Sequence, residues 1–374
     1  MKQKAVFIIN NLVVGGVERF TRDVLPHLDR DQLDIFVVTV WGSGSLSTVY
    51  QSLNVPIYWA GGKIWYSSKN PLLKPYFVIV SPFTFIRLLL ILHRLRPDVV
   101  MTCLTQADIM GITAAYLSGV PRRIIRQADV KPLGRIVRWL KQNLAIRLST
   151  KIIANSLATK QFVESYFRVS EEKVIPIPNG VDLAHFQINR PLSPEDPVVG
   201  FLGRLEEIKG AAVFLAGIKL LRDQWGVSPR VVIYGDGSLR SELQQYVETH
   251  KLTTVKFMGE VADPVLALTE IDVLVVPSLS EGFGLVTLEG LVSGRAVVAS
   301  DLPVMRDLII SGQNGILFPV SDASQLASQL ADLLQQPEKI RQLQQRAADW
   351  SVTNGIAYNI VNTAKRYQSV ILGL

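Results

Sequence analysis

The stretch IDVLVVPSLSEGFGLVTLE, residues 271–289, contains the features that decide the fold. Its first part, 271–277, is an apolar run with the length and composition typical of a buried strand. A Gly-Phe-Gly turn follows at 282–284 and leads into a helix-like run that ends near Gly294. A strand, a glycine turn and a helix start predict an α/β unit that can bind an anion, because unpaired N–H groups and the helix dipole point at one spot.

Two glutamates flank this turn. Glu281 lies on the turn and Glu289, eight positions later, lies inside the predicted helix, so both side chains can face one ligand. Carboxylates are strong acceptors for sugar or ribose hydroxyls, and glycines let the backbone come close to a phosphate. For a bare pair of glutamates, however, a tight turn with two solvated acids is the better interpretation.

A second segment, GRLEEIKG at 203–210, favours a ligand site over the tight turn with two solvated acids. It follows a predicted strand at 197–202, and Arg204 comes directly after a glycine at the strand end. Lys209 follows five residues later, so the two cations can hold a diphosphate from two sides. An arginine and a lysine on a loop are usually just solvated, but together with the glutamate pair they indicate a specific site.

These segments resemble the donor half of the retaining glycosyltransferases of family 4. The resemblance is strong from about Ile177 to Val320 and weaker at Asn11–Arg19. It rests on Gly203-Arg204 with Lys209-Gly210, Gly235-Asp236-Gly237, Glu281-Gly282-Phe283-Gly284 with Glu289, and Pro178-Asn179-Gly180-Val181-Asp182. It implies an α/β protein of the GT-B fold, in which two doubly wound Rossmann-like domains face each other across a deep cleft.

The resemblance also implies roles for these residues. Arg204 and Lys209 stabilise the leaving diphosphate as its charge grows, and Glu281 holds the sugar hydroxyls, so these three are the predicted catalytic residues. Glu289 is predicted to hold the ribose hydroxyls. The other predicted donor-binding residues are Gly15, Gly16, Gly203, Gly235, Gly237, Gly282, Phe283, Gly284 and Leu285. On the residues alone, the Gly15-Gly16 pair is equally well a plain tight turn.

Strand and helix patterns alternate along the whole chain, which predicts parallel sheets covered on both faces. The predicted strands lie near 5–9, 35–40, 98–103, 123–126, 151–154, 173–177, 197–202, 230–234, 254–258, 272–276, 296–299 and 315–318. With 374 residues the chain suits two domains. We predict an acceptor-binding domain over 1–186, joined by a C-terminal helix at about 355–374 as the resemblance implies, and a nucleotide-sugar donor-binding domain over 187–354.

Positive charge is concentrated in the first half. Residues 1–186 carry 23 Lys and Arg against 12 Asp and Glu, whereas residues 187–374 carry 16 against 20. Between Arg122 and Lys151, nine cations interleave with apolar residues such as Trp139, and Asp129 is the one acid. This pattern predicts an amphipathic helix suited to an anionic membrane surface, with solvated charge on a globular face as the alternative. No zinc ligands, stacking platform or recognition helix accompany the cations, so we expect no nucleic acid partner.

Other segments bear on the location of the protein. The apolar run 76–96 is interrupted by Pro82 and Arg87 and falls short of a spanning helix, so it is either a lipid-facing edge or a buried helix with a basic end. The apolar run at 5–9 ends too early for a signal peptide. A single cysteine, Cys103, excludes an intrachain disulfide. We expect a cytoplasmic protein, or one peripheral on the inner face of the cell membrane.

The acceptor side departs from the family pattern. Many members carry a histidine near the strand end at residue 103, but residues 98–108 contain none. We predict that Gln106, Asp108 and Arg126 line the acceptor side instead, although Asp108 is equally well a helix cap. There is no clustered Asp-x-Asp, and two cations can supply a metal's charge, so we expect no metal and no cofactor besides the nucleotide-sugar co-substrate.

The resemblance therefore implies a retaining glycosyltransferase that uses a UDP-sugar or a GDP-sugar. Its expected acceptor is a lipid-linked sugar or a polysaccharide of cell-envelope or exopolysaccharide synthesis. Two alternatives remain on the same scaffold: another enzyme, such as a nucleotide-sugar epimerase, and a catalytically silent nucleotide-sugar binder, which the missing histidine suggests.

Overall fold

The structure, a computed structural model, describes residues 2–12, 21–42, 44, 47–61, 74–188 and 196–374, and side chains outside 74–80. The chain forms two compact units. Unit 1 comprises Met1–Gly180 and Ile360–Leu374, and unit 2 comprises Val181–Asn359. The first expected boundary, at 186, lies six residues after Gly180, where the chain leaves unit 1. The second, at 355, lies five residues before Ile360, where the chain returns to unit 1. The acceptor-binding and donor-binding roles of the two units stay predictions.

Unit 1 is built on a parallel sheet of seven strands in the order β3-β2-β1-β4-β5-β6-β7. The strands are β1 Gln3–Ile9, β2 Leu33–Thr39, β3 Ile57–Trp59, β4 Val99–Cys103, β5 Arg122–Gln127, β6 Lys151–Ala154 and β7 Val174–Pro176. Residues 5–9 of β1 are all buried, because side chains alternate between the two faces of a strand and both faces are covered. Ala5, Phe7 and Ile9 join one apolar cluster, and Val6 and Ile8 join another.

The connections of unit 1 are mostly helical. They are α1 (residues 21–24), α2 Ser47–Ser52, α3 Lys74–Leu95, α4 Thr105–Leu117, α5 Arg135–Leu140 and α6 Leu157–Phe167, with a π-helical turn at Lys141–Ile146 and 3-10 turns at Leu25–His27 and Glu171–Lys173. Pro82 and Arg87 do not interrupt α3, which is continuous. Within the described residues, no helix is both long enough and apolar enough to cross a membrane.

Unit 2 has a parallel sheet of six strands in the order β10-β9-β8-β11-β12-β13. The strands are β8 Val198–Leu202, β9 Arg230–Tyr234, β10 Val255–Gly259, β11 Val273–Val276, β12 Ala296–Ser300 and β13 Ile316–Phe318. The helices are α7 Ala211–Trp225, α8 Arg240–Thr249, α9 Pro264–Glu270, α10 Leu285–Val292, α11 Pro303–Arg306, α12 Ala323–Leu334 and α13 Pro337–Thr353, with 3-10 turns at Glu207–Lys209 and Gly355–Tyr358.

The two sheets share one winding pattern. In unit 2 the chain runs outward from β8 through β9 to β10, then returns to the other side of β8 and continues from β11 to β13. The strand order therefore reverses between β8 and β11, and in unit 1 it reverses between β1 and β4. In open parallel sheets, ligands bind at the carboxyl ends of the strands beside such a reversal. This topology confirms the predicted fold class of two doubly wound units.

The chain ends on a helix that belongs to unit 1, α14 Ile360–Leu372. Its apolar face, with Ile360, Ala364, Tyr367 and Ile371, joins the same apolar cluster as one face of β1. Arg122 Nη1 also donates to the carbonyl of Ile371 at 2.7 Å.

The basic segment between Arg122 and Lys151 is helical in its middle part alone. Its first residues form β5, in agreement with the strand predicted at 123–126, and the helical part consists of α5 and the π-helical turn at Lys141–Ile146. Arg126 and Lys141 are buried rather than on a charged surface, with 3% and 2% exposure. Hydrophobic periodicity could not show this, because the burial of both cations depends on partners distant in sequence.

Candidate active site

Three loops meet at the carboxyl edge of unit 2, where the strand order reverses. The first loop, 203–210, follows β8; the second loop, 235–239, follows β9; and the third loop, 277–284, follows β11. The backbone N–H of Leu205 donates to the carbonyl of Asp236 at 2.9 Å. The N–H of Leu279 donates to the carbonyl of Ile208, also at 2.9 Å. The first loop is therefore hydrogen-bonded to both of the others.

Glycines make this close contact between the loops feasible. Gly235 has φ +140°, and a Cβ at this position would lie 1.8 Å from the carbonyl oxygen of Gly203. Gly210 has φ +71°, and a Cβ there would lie 1.9 Å from the carbonyl oxygen of Pro277. Any side chain at either residue would push two loops apart, which explains a glycine directly after β9 and another directly before α7.

An ion pair connects the first loop to the third. Lys209 Nζ lies 2.5 Å from Glu281 Oε1, and Ser278 Oγ donates to the same oxygen at 2.8 Å. An ammonium group has three N–H donors, so Lys209 can also donate to a phosphate oxygen. Glu281 Oε2 accepts no hydrogen bond within the described part of the chain. One carboxylate oxygen is therefore available for a hydroxyl, beside a cation suited to a phosphate.

Arg204 is the second cation of the first loop. Its side chain is exposed, and within the described residues its guanidinium makes no hydrogen bond or ion pair. Glu206, two residues on, has a role that the sequence reasoning missed. Its carboxylate accepts from the Ser238 N–H at 3.1 Å and from Ser238 Oγ at 2.8 Å, which fixes the second loop. The signal was an acid in the same GRLEEIKG run as both cations.

The third loop ends at the start of α10. Gly284, with φ +87°, is the N-cap residue of this helix, and the first N–H groups of any α-helix have no intrahelical acceptor. Phe283 is buried under the turn, and its ring centroid lies 6.0 Å from that of Tyr358. Burial, and secondarily the charge of Asp307, raises the pKa of the Tyr358 hydroxyl, so this residue is a neutral packing partner at ordinary pH. The packing of Phe283 therefore holds the turn in place, and the first residues of α10 lie at the carboxyl edge of the sheet.

The predicted donor residues are placed as follows. The structure brings together Gly203, Arg204, Lys209, Gly235, Gly237, Glu281, Gly282, Phe283, Gly284 and Leu285 in the three loops and the start of α10. Glu289 lies inside α10 with 1% exposure, so its carboxylate is in the interior, and its role toward a ribose stays a prediction. Gly15 and Gly16 lie outside the described residues.

The predicted acceptor residues all belong to unit 1. Gln106 Oε1 accepts from the indole N–H of Trp41 at 2.9 Å. Asp108 is fully buried and pairs with Lys141 Nζ at 2.8 Å. It is not the helix cap of the alternative interpretation, because the N-cap residue of α4 is Leu104.

Arg126, the third of these residues, ties β5 to two other segments. Its Nε donates to the Tyr367 hydroxyl at 2.9 Å, and its Nη2 donates to Asn179 Oδ1 at 2.7 Å. The acceptor-side role of all three residues stays a prediction, and the structure adds that Asp108 and Arg126 are interior groups with protein partners.

The described residues contain no cluster of metal-binding side chains. No group of three or more His, Cys, Asp or Glu side chains there could hold a metal ion. Metal independence stays a prediction.

The fold and the site define an α/β protein with two doubly wound units of the GT-B class. A model described as Glycosyltransferase Family 4 matches residues 14–185, and a model described as Glycosyl transferases group 1 matches residues 196–336. The chain belongs to the family 4 glycosyltransferases.

Individual relatives agree with this assignment. The capsular polysaccharide biosynthesis glycosyltransferase CapM of Staphylococcus aureus is 22% identical over 67% of this chain and 71% of its own length. The phosphatidyl-myo-inositol mannosyltransferase of Mycolicibacterium smegmatis is 35% identical over 50% of this chain and 52% of its own length. The crystal structure of Anabaena Alr3699/HepE in complex with UDP-glucose covers both chains fully with a TM-score of 0.82 at 21% identity, which shows a shared fold.

Proposed function

We propose that this protein is a retaining, metal-independent glycosyltransferase that uses a UDP-sugar or a GDP-sugar. The observation that carries the proposal is the Lys209–Glu281 pair, held between two loops at the strand-order reversal of unit 2. Arg204, in the same loop as Lys209, adds a cation without a protein partner in the described residues. The HepE complexes with UDP and UDP-glucose support a uridine nucleotide in particular.

The chemistry follows from these charges. As the bond between the sugar carbon and the diphosphate oxygen breaks, negative charge grows on the diphosphate, and Arg204 and Lys209 stabilise it. Glu281 accepts hydrogen bonds from the sugar hydroxyls through its remaining oxygen. The acceptor oxygen bonds to the sugar carbon on the face that the diphosphate leaves, and a phosphate oxygen takes the acceptor proton. The configuration is therefore retained, and no metal takes part in the proposed step.

The acceptor that we propose is a lipid-linked sugar or a polysaccharide of the cell envelope. Support comes from the relatives, because the names of CapM and of the Mycolicibacterium mannosyltransferase specify a capsular polysaccharide and a phosphatidylinositol.

The donor proposal is tested by thermal shift with UDP-, GDP- and ADP-sugars. A ligand that binds the folded form alone stabilises it by about 2.7 kcal/mol at a hundred times its dissociation constant, so the melting temperature should rise with UDP-glucose or a GDP-sugar. The shift should be much smaller in Arg204→Ala. If no nucleotide-sugar changes the melting temperature of the wild-type protein, the donor site is refuted. Binding without turnover on any glycan extract would instead support the silent binder.

We also propose that unit 1 contacts an anionic membrane surface through α5. In this helix Ile136 and Trp139 are 75% and 62% exposed, and Arg135 and Arg138 are exposed beside them. Exposed aromatic and aliphatic groups next to arginines suit the interface of an anionic bilayer. On α3, Phe83, Ile86 and Leu90 are also exposed at helical spacing, together with Arg87. A peripheral position on the cytoplasmic face would bring the enzyme to lipid-linked acceptors.

Vesicle sedimentation tests this surface. The full chain should bind vesicles that contain phosphatidylserine and bind neutral phosphatidylcholine vesicles weakly. Trp139→Ala and Arg135→Ala should each weaken the binding, with about 1 kcal/mol for the arginine. Leu157→Ala, which removes an exposed apolar side chain on α6, is the matched control and should have no effect. Equal binding by all variants would exclude α5 as the contact.

A further inference from the structure

A chain of hydrogen bonds runs from the interior of unit 1 to its carboxyl edge. Thr102 in β4 donates to Asp108 Oδ1 at 2.7 Å, and Asp108 Oδ2 pairs with Lys141 Nζ at 2.8 Å. Lys141 Nζ also donates to the side-chain oxygen of Gln127, the last residue of β5, at 2.8 Å. Gln127 Nε2 in turn donates to Asp129 Oδ1 at 2.6 Å. Five side chains from three segments thus form one continuous array.

The chemistry of the groups fixes the direction of this array. A lysine ammonium has donors only, so Gln127 has to present its oxygen to Lys141 and keeps its NH2 group for Asp129. Gln127 Nε2 also donates to the backbone carbonyl of Asp129 at 2.9 Å. The Asp129 carboxylate is therefore held as an acceptor in one orientation.

The Lys141–Asp108 ion pair is buried at the inner end of the array, and a gain in stability does not by itself explain its presence. Lys141 and Asp108 side chains are 2% and 1% exposed, and a buried ion pair is often no more stabilising than apolar residues of similar size. Lys141 also opens the π-helical turn, a rare element that is frequent at functional sites. The effect of the pair that the structure shows is to orient Gln127, and through it Asp129.

Asp129 is the open end of the array. The residue is exposed, and its Oδ2 accepts no hydrogen bond from the described residues. It lies two residues after β5, on the edge of the sheet where parallel α/β proteins bind ligands. An oriented carboxylate with one open oxygen suits a sugar hydroxyl.

We propose that Asp129 accepts a hydrogen bond from a hydroxyl of the sugar acceptor, with Gln127 and Lys141 as positioning residues. The inference rests on the proposed transferase function, because it assigns the acceptor of that reaction to unit 1. No proton is transferred to Asp129, since the acceptor proton goes to the leaving phosphate. The carboxylate supplies a polar contact on the side of the chain that lacks the family histidine.

The test is saturation-transfer NMR on the full chain with UDP bound. The probes are the methyl α-glycosides of glucose, mannose, galactose and N-acetylglucosamine. At least one should bind the wild-type protein, and Asp129→Asn should weaken it about tenfold, equivalent to about 1.4 kcal/mol. Gln127→Met should weaken it less and should also lower the melting temperature, because the buried Lys141 ammonium loses an acceptor. Both variants should keep the wild-type affinity for UDP, and Asp129→Asn should keep the wild-type melting temperature, a split that a general structural defect would not give.

Glu172→Gln is the matched control, because it alters an exposed acid before β7, at the opposite edge of the same sheet. It should bind the glycoside like the wild type. Unchanged glycoside binding in Asp129→Asn would overturn the inference, and so would a wild-type protein that binds UDP but none of the glycosides. If the wild type does not bind UDP, the proposed function itself fails, and this inference fails with it.

Discussion

At the scale of single residues, the proposed donor site contains two cations in different environments. Lys209 is partly buried and paired with Glu281, whereas Arg204 is exposed and has no partner in the described residues. Arg204 is therefore the group whose loss should affect the reaction without affecting the fold. The pair at Lys209 connects two loops, and the proposed function gives it a chemical role as well.

Replacing Arg204 by alanine should lower kcat about 100- to 1,000-fold, because the leaving diphosphate loses a stabilising charge. The melting temperature should stay close to that of the wild type. Turnover with UDP-glucose, followed by UDP release, measures the effect. Arg230→Ala is a suitable control, since Arg230 is also exposed but begins β9 at the opposite edge of the sheet. Near-normal turnover by Arg204→Ala would remove this residue from the site.

The contact between the first and third loops can be tested with two glycines in similar backbone conformations. Gly210 and Gly226 have φ of +71° and +66°, but only Gly210 lies against another loop, and a Cβ on Gly226 meets nothing within 4 Å. Gly226→Ala should cost about 1 kcal/mol of unfolding free energy from backbone strain. Gly210→Ala should cost about 3 kcal/mol and weaken UDP binding. Chemical denaturation and UDP titration measure both, and equal costs would show that the loops can separate freely.

At the scale of elements, the sequence predicted the sheets well and the basic segment poorly. All twelve expected strands are present with ends shifted by no more than two residues, because buried parallel strands are short continuous apolar runs. The strand that was missed, β3, has three partly buried residues and follows Pro56, so its pattern is too short to detect. The segment 122–151 was misjudged because Arg126 and Lys141 find buried partners on other elements.

Some residues of the candidate sites could be predicted from the sequence, and others could not. The cations and the turn glutamate could be found from local spacing after strands, and the structure places Lys209 and Glu281 in contact. Glu206 and Gln127 could not be assigned roles, since Glu206 accepts from Ser238 and Gln127 accepts from Lys141, each on another segment. The orientation of Asp129 depends in turn on that of Gln127. Contacts of this kind depend on which strands are neighbours, which a single sequence does not state.

The docking of α14 on unit 1 gives a prediction at this scale. Tyr367→Phe removes the hydroxyl that accepts from Arg126 Nε inside the unit, and a buried donor that loses its acceptor costs about 1–3 kcal/mol. The free energy of unfolding in urea should fall by this amount. Lys365→Ala, on the exposed face of the same helix, should change it by less than about 0.5 kcal/mol. A Tyr367→Phe variant as stable as the wild type would mean that Arg126 has compensating partners.

At the scale of the whole molecule, the charge is unevenly divided along the chain, and the two proposed ligand sites lie in different units. The first half of the chain is strongly basic, while residues 187–374 carry more acids than bases. A nucleotide held in unit 2 therefore relies on local cations rather than on a general positive field. Unit 1 has the charge that suits an anionic surface.

Hydrogen exchange with and without UDP should show this division. UDP should slow exchange in residues 203–210, 235–239 and 277–285, because bound ligand stabilises the backbone it touches. The core strands β5 and β6 of unit 1 should exchange at the same rate in both states and serve as the internal control. Protection confined to unit 1 would mean that UDP binds there, and it would contradict the proposed donor site in unit 2.

The return of α14 to unit 1 also governs how the protein is made. Unit 2 is one uninterrupted segment, Val181–Asn359, whereas the core of unit 1 needs Ile360, Ala364, Tyr367 and Ile371. Domains fold as units while the chain emerges from the ribosome. The part of unit 1 that precedes unit 2 therefore stays incomplete until α14 has been synthesised. Before that, a nascent chain carries a complete unit 2 and a unit 1 with an exposed apolar surface that chaperones or proteases can recognise.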